Sequence, residues 1–305
     1  VLAIDLVRLV NAFIPFLPKS LFAAGARTGP VLFTVAAGAV FLTVALGAWN
    51  ATRLRTVDLD LRIPARSGTA ERLTVVAASD LHLGALVGPS RLKKVVARMN
   101  ALEPDVVFFA GDVVDETVTA EIEAKLGGIM RELRAPLGFF ACAGNHEFYS
   151  GLERNLACLR ACGVTVLQDE AVDVAGAFVL VGRRDPSSLK IQEKRLSIGG
   201  ILAGSGLAAD LPVFVLDHQP LHLEEAEQAG ADLQISGHTH DGQIFPIDLV
   251  NSLIYELNWG HLRKGNTHYY VTSGAGTWGP PVRVGSRAEI VRIRIAFERA
   301  APVGE

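Results

Sequence analysis

The sequence predicts an α/β fold preceded by a transmembrane helix. Three observations carry that reading. Short apolar runs alternate with helical patterns over residues 72–297, as in a sheet covered by helices on its faces. Residues 31–49, VLFTVAAGAVFLTVALGAW, hold no charge in 19 positions. Half of the 305 residues are hydrophobic, and the mean hydropathy of +0.31 is high for a wholly soluble chain. Domains usually hold ~100–200 residues, so the length suits one large domain with an appendage.

From the N-terminus, residues 1–17 are mixed: Asp5, Arg8 and Asn11 interrupt an apolar sequence that Pro15 and Pro18 end. That pattern suits an interfacial helix better than a span. Residues 31–49 as a helix would rise about 28 Å, close to the ~30 Å hydrocarbon core of a bilayer. Pro30 opens this segment and Trp49 closes it at an interfacial position. Residues 1–50 therefore form a membrane-associated segment, with the bilayer as partner. Arg8, Lys19 and Arg27 precede the span and Arg53, Arg55, Arg62 and Arg66 follow it, which leans to a cytoplasmic catalytic domain. Residues 51–71 are Arg-rich and polar, with an alternating Val57-Asp58-Leu59-Asp60-Leu61, and read as a connector.

A domain over 72–305 follows. Leu73–Ala78, Val106–Ala110, Phe139–Ala143, Val164–Leu167, Ala177–Val181, Val213–Leu216 and Leu233–Ile235 read as buried strands. Helical patterns cover Pro89–Leu102, Glu121–Leu133 and Leu152–Cys162. In the last apolar run Val291, Ile293, Ile295 and Phe297 face one way and Arg292 and Arg294 the other. This predicts a half-exposed strand, at an edge or in a final hairpin.

A net charge of -3 gives no electrostatic footprint for nucleic acid. The pairs Lys93-Lys94 and Arg183-Arg184 read as solvated faces. Cys142, Cys158 and Cys162 form neither CxxC nor an even-numbered framework. Cys158 and Cys162 share a helix face and read as small buried residues.

The chemistry is concentrated in five short words, each placed after an apolar strand: Ser79-Asp80-Leu81-His82, Gly111-Asp112, Gly144-Asn145-His146-Glu147, Asp217-His218-Gln219-Pro220 and Gly237-His238-Thr239-His240. They contain five of the eight histidines. In α/β sheets ligands bind beyond the carboxyl ends of the strands, so the five loops converge on one rim. Carboxylate, amide and imidazole groups gathered there suit two divalent cations. Such a pair can clamp the attacking and leaving oxygens of a phosphoryl group.

On these residues the chain resembles the calcineurin-like metallophosphoesterase superfamily, whose words DxH, GDxxD, GNH[DE], a lone H and GHxH all occur in order within residues 72–297. It is most similar to a membrane-tethered branch with GHTHxGQ, read here as Gly237 to Gln243, and with GxGTWGPPxRxG, read here as Gly274 to Gly285. That branch has Gly where this chain has Asp241. The resemblance implies a four-layer α/β/β/α arrangement, a β-sandwich flanked by helices. It implies one metal on Asp80, His82 and His240, a second on Asn145, His218 and His238, and Asp112 bridging them. The ions would be Mn, Fe or Zn. It also implies that His146 acts on the phosphoryl oxygens or the leaving group, oriented by Asp115.

The expected activity is hydrolysis of a phosphoester or pyrophosphate at a membrane. Lipid-linked substrates such as a UDP-diacylglucosamine are among the candidates, and soluble esters or a non-catalytic scaffold are the alternatives. The apolar stretch from Ile244 to Leu257 reads either as an acyl channel or as ordinary core. His222 reads as a surface residue. Trp259, His261, Trp278 and Arg283 are outlying candidates for substrate contact, Arg283 toward a phosphate. Oligomeric state is open.

Overall fold

The computed structural model describes residues 28–66, 71–84, 87–115, 119–191, 194–207 and 210–298, with Asp5, Leu9, 11–14 and Pro18. Residues 1–17, expected as an interfacial segment, lie mostly outside the described residues. The chain divides into two units, Val1–Gly47 and Ala48–Glu305.

Helix α1, Thr28–Thr52, begins in the first unit and ends in the second. It overruns the expected 31–49 by three residues at each end, and Pro30 still falls in the first turn, where its missing N–H costs no intrahelical bond. Among the described residues it is the one helix long and apolar enough to cross a membrane.

In the second unit the elements follow in chain order. They are β1 (Leu54–Pro64), β2 (Arg72–Ala78), α2 (Pro89–Asn100), β3 (Val106–Ala110), α3 (Ala120–Met130), β4 (Phe139–Cys142), α4 (Asn145–Ser150), α5 (Leu152–Ala161) and β5 (Thr165–Leu167). Next come β6 (Glu170–Val174), β7 (Phe178–Gly182), α6 (Ile198–Ser205), β8 (Val213–Leu216), α7 (Glu224–Gln228) and β9 (Leu233–Ser236). The last are α8 (Ile247–Ile254), β10 (Gly260–Lys264), β11 (Thr267–Val271) and β12 (Ala288–Glu298). The seven expected strands are present with ends shifted by a residue or so.

Two six-stranded sheets result, ordered β1-β12-β2-β3-β4-β5 and β10-β11-β9-β8-β7-β6. Side-chain alternation assigns their faces. Val75, Ala77, Phe108 and Phe140 of the first sheet meet Phe178, Phe214, Leu216 and Ile235 of the second in one inter-sheet core. The Phe108 and Phe178 rings cross edge to face at 6.1 Å, a favoured aromatic geometry. The other face of the first sheet, including Val76, Val107 and Phe109, is covered by Leu92, Val96, Leu126 and Leu156 of α2, α3 and α5. Ile198 and Ile201 of α6 and Ala226 of α7 cover Val179, Val181, Val213 and Val215 of the second sheet. The layers are therefore α/β/β/α. Strands buried on both faces read as unbroken apolar runs, which is why the sequence exposes them.

The last strand differs from expectation. β12 is internal, lying between β1 and β2, and the edge belongs to β1. The stretch read as a connector thus supplies a full strand, parallel to β12 from Leu54↔Ala288 to Pro64↔Glu298. Arg292 and Arg294 face outward because they pair with Asp58 and Asp60 of β1, both at 2.6 Å. Alternation reported a wet face, and a wet face does not require an edge. Arg183 also departs from its expected solvated position: it is buried, pairing with Asp217 at 3.0 Å and Glu225 at 2.9 Å. Lys93 and Lys94 are exposed, and the three cysteines are buried and free.

Candidate metal centre

The five words sit on the loops that leave β2, β3, β4, β8 and β9, at the carboxyl ends of strands that run parallel within each sheet. Backbone bonds lace neighbouring loops: the Asp80 and His82 N–H groups donate to the Gly111 and Asp112 carbonyls, both at 3.0 Å. Two contacts cross the sandwich. The His238 N–H donates to Asp80 Oδ1 at 3.0 Å, and His218 Nδ1 lies 2.7 Å from the Ala110 carbonyl. A carbonyl can only accept, so His218 carries its proton on Nδ1 and leaves the Nε2 lone pair free for a ligand role.

The donor atoms then face each other. His82 Nε2 and His240 Nε2 are 3.0 Å apart, and His240 Nε2 is 3.4 Å from Asp80 Oδ1. On the other side, Asn145 Oδ1 lies 2.8 Å from His238 Nδ1 and 3.2 Å from His218 Nε2. Asp112 Oδ2 stands between the groups, 3.1 Å from His218 Nε2 and 3.9 Å from His82 Nε2. Bonds of ~2.1 Å from one cation to its ligands put neighbouring donors about 3.0–3.4 Å apart, octahedral to tetrahedral. Two donor sets, Asp80–His82–His240 and Asp112–His218–His238, keep all their donor atoms within 4.8 Å of one another, and their closest pairs have the spacing of ligands on one cation. Their chemistry fits divalent ions as well. Burial holds the His240 imidazole far below its ordinary range and His238 down to about 3. Both are neutral at physiological pH, the state that ligates.

The backbone here is strained, which the sequence did not reveal. Asp80, His82, Asp112, His238 and His240 all adopt positive φ, from 49° to 72°. Non-glycine residues in this region cost free energy and cluster where geometry serves function. Two glycines provide the clearance. At Gly111, with φ of +82°, a Cβ would collide with the His218 ring, and at Gly144 with the Asp112 carboxylate.

Glu147 was not singled out as a site residue, although its word was. Its buried carboxylate accepts four backbone N–H groups, from Asp112 (3.0 Å), Val113 (2.7 Å), Val114 (2.9 Å) and Gly144 (2.8 Å). It therefore welds the Gly111-Asp112 loop to the Gly144-Asn145-His146 loop. Burial and the neighbouring Asp112 push its acid up to about 7, against the pull of the Val114 and Gly144 N–H groups.

His146 Nδ1 bonds Asp115, as the sequence reading expected, and the same carboxylate reaches toward His82 Nδ1 at 3.5 Å. These two imidazoles hold the Asp115 acid well below the usual range. For His146, burial opposes the charged form, but Asp115 and Asp112 outweigh it and raise its pKa.

The centre opens into a cavity of about 460 Å³ that is also lined by Tyr149, Ile244, Ile247, Trp278 and Pro280. Ile244 and Ile247 are the members of the apolar stretch that line it. Leu249, Val250, Leu253 and Ile254 are 53–87% exposed, so the stretch is neither a closed channel nor core at those positions. Arg283 is not free to meet a phosphate: it is buried, donating at 2.8 Å to the carbonyls of Ser273 and Gly276. Asp241 joins neither donor set. It accepts from Asn258 at 3.3 Å, and burial with Asp248 and Glu289 nearby raises its acid to about 6. His222 is exposed, and His261 stacks on His268 in the β10–β11 hairpin. Trp259 donates to Glu289.

A family model described as calcineurin-like phosphoesterase matches residues 73–242, more than half of the chain. The chain belongs to that family. Among relatives of this phosphoesterase, an uncharacterized metallophosphoesterase of Helicobacter pylori is 33% identical over 74% of this chain and 60% of its own length. A metallophosphoesterase of Aquifex aeolicus, also uncharacterized, is 32% identical over 84% of this chain and 98% of its own. A Danio rerio protein named transmembrane protein with metallophosphoesterase domain is 30% identical over 78% of this chain and 56% of its own. The phosphoesterase thus spans between half and two thirds of the Helicobacter and fish relatives. A solved 5'-nucleotidase precursor from Thermus thermophilus aligns over 74% of this chain and 54% of its own at 17% identity, with a TM-score of 0.42.

Proposed function

We propose that this phosphoesterase is a dinuclear, metal-dependent hydrolase of phosphoester or pyrophosphate bonds, anchored to a membrane by α1. The observation that carries the reading is the Asp112 carboxylate lying between His218 Nε2 on one side and His82 Nε2 on the other, with the His146–Asp115 pair beside it. Asp80, His82 and His240 would hold one cation, Asn145, His218 and His238 the other, and Asp112 both. When bound, the ions would supply charge neutralisation on the phosphoryl group and an acidified water. The chain's own residues do the rest. Asp115 fixes His146 with Nδ1 as donor, so that Nε2 serves the substrate. A raised pKa keeps a proton available there for the leaving oxygen. Glu147 keeps the two loops in register, and the apolar wall of Ile244, Ile247, Trp278 and Pro280 limits water on the leaving-group side.

That apolar wall favours a substrate whose leaving group carries hydrocarbon, such as a lipid-linked pyrophosphate, over a small soluble ester. The test is turnover by metal-reconstituted full-length protein of a panel: a simple diester, a monoester, a nucleotide-linked lipid and its deacylated counterpart. Hydrolysis that needs added divalent metal supports the dinuclear reading, and metal-independent turnover refutes it. Equal kcat/KM for the acylated and deacylated pair removes the lipid preference alone.

A further inference from the structure

Helix α8 is built inside out. Two of its polar side chains turn toward the protein: Asn251 donates to the Thr239 carbonyl at 2.9 Å, and an Asp248 carboxylate oxygen is buried. Its apolar side chains turn to solvent, with Leu249 56%, Val250 53%, Leu253 87% and Ile254 61% exposed. Phe245 before it and Trp278 beside the cavity add 58% and 56% exposed rings. A soluble enzyme would ordinarily place this helix the other way round, and a contiguous exposed apolar patch of this kind marks a contact surface.

What covers the patch follows from where the apolar helix α1 ends. Asn50, in its last turn, donates to the carbonyls of Arg283 and Ser286 at 3.0 and 2.9 Å. Val284, between those two, accepts from the Phe245 N–H at 2.8 Å and donates to the Gln243 carbonyl at 2.9 Å. The end of α1 is therefore two hydrogen-bonded steps from the start of α8. Only Arg53 separates Thr52 from the first residue of β1. The same corner carries an interfacial signature: the Arg53 guanidinium lies 4.7 Å over the Trp49 ring, Arg91 donates to the Thr52 carbonyl at 3.1 Å, and Lys94 is exposed. Trp with Arg and Lys is the composition of a headgroup layer.

We propose that α8, with Phe245 and Trp278, seats in the lipid monolayer that α1 leaves, so that the cavity mouth lies at the membrane surface. The inference rests on reading α1 as a span and is independent of which phosphoester is cleaved. An amphipathic helix whose apolar face enters the acyl boundary is the physical form of such a contact.

The test uses the full chain in vesicles of phosphatidylcholine and phosphatidylglycerol, carrying one environment-sensitive fluorophore at a time on Leu253→Cys, Val40→Cys or Glu121→Cys. The native cysteines are buried, and Leu253 is exposed enough that its replacement leaves packing intact. The label at Leu253 should be quenched several-fold more by doxyl-labelled lipid than by aqueous iodide, as at Val40, with the reverse at Glu121. Iodide quenching at Leu253 with lipid quenching at Val40 overturns the proposal and leaves the span. Shielding of Leu253 from both quenchers, with a cross-linked dimer, overturns it in favour of a second copy as occupant. Absence of lipid quenching at both positions overturns the span reading and this one with it.

Discussion

The Gln243 side chain holds the Trp278 backbone from both sides, donating to its carbonyl at 2.7 Å and accepting its N–H at 2.9 Å. Gln243 closes the word that begins at Gly237, and Trp278 is the centre of Gly274 to Gly285, so two separate sequence patterns are one structural unit. The side-chain clamp fixes one wall of the cavity, while the Gln243 backbone N–H separately donates to the His240 carbonyl at 3.0 Å, a bond that a side-chain substitution keeps.

Gln243→Ala should therefore leave metal content unchanged and loosen the Trp278 wall. Two lost hydrogen bonds at about 0.5–1.5 kcal/mol each correspond to a fall in kcat/KM on the order of tenfold, expressed mainly in KM. Metal analysis beside steady-state kinetics checks this. Loss of metal would show that Gln243 supports the centre itself.

How much of this was legible in the sequence depends on the kind of information. The five words and their strands could be read because strands buried on both faces are unbroken apolar runs, each ending at a word. The positive φ of Asp80, His82, Asp112, His238 and His240 could not be read, since local propensity disfavours it and only tertiary contacts impose it. The sheet membership of Leu54–Pro64 was hidden because its outward Asp58 and Asp60 find their partners more than 230 residues later, in Arg292 and Arg294. Glu147 could have been found: a Glu three residues after Gly144, at the start of a helix, is the carboxylate half of a capping box.

Asp112→Asn tests the shared ligand. An amide in place of the carboxylate removes the charge that offsets two dications, so metal stoichiometry should fall and turnover should be lost. Divalent metal at 100 times its dissociation constant stabilises a folded protein by about 2.7 kcal/mol. The parent protein should melt higher on metal addition, and that rise should shrink in Asp112→Asn. Two ions bound with normal turnover would sink the dinuclear centre.

His146→Ala should separate chemistry from binding. His146 stands outside the donor sets of Asp80 and Asp112 but forms a third close group with Asp115 and His82; because its Nδ1 is taken by Asp115, its removal should leave metal in place while kcat falls by roughly 10²–10⁴-fold, the range for a lost general acid. Asp115→Asn should give a smaller loss, because the amide still bonds Nδ1 but no longer favours the charged imidazole. Metal loss in His146→Ala would make it a ligand.

Glu147→Gln should act on the fold. The amide nitrogen cannot accept, so part of the four N–H groups now on the carboxylate are left without an acceptor, at about 1–3 kcal/mol. In a domain of this size each kcal/mol moves the melting temperature by ~2–4 °C. Calorimetry of the metal-free protein isolates this from metal binding. An unchanged melting temperature would mean that the two loops hold each other without Glu147.

The boundary between anchor and enzyme yields the last prediction. Asn50 and Thr52 lie in the apolar helix by sequence but bond the catalytic unit, Asn50 to Arg283 and Ser286 and Thr52 to Arg91. Removing residues 1–47 keeps these bonds, and should release a soluble domain that hydrolyses a small activated diester at the rate of the full chain. Removing residues 1–52 cuts them. The loop that carries Val284 and backs Gln243 then loses its outer support, at ~1.5–4.5 kcal/mol for the three bonds. The longer deletion should melt several degrees lower and turn over more slowly, while still binding metal. Identical melting and turnover for the two truncations would show that the last turn of α1 serves the anchor alone.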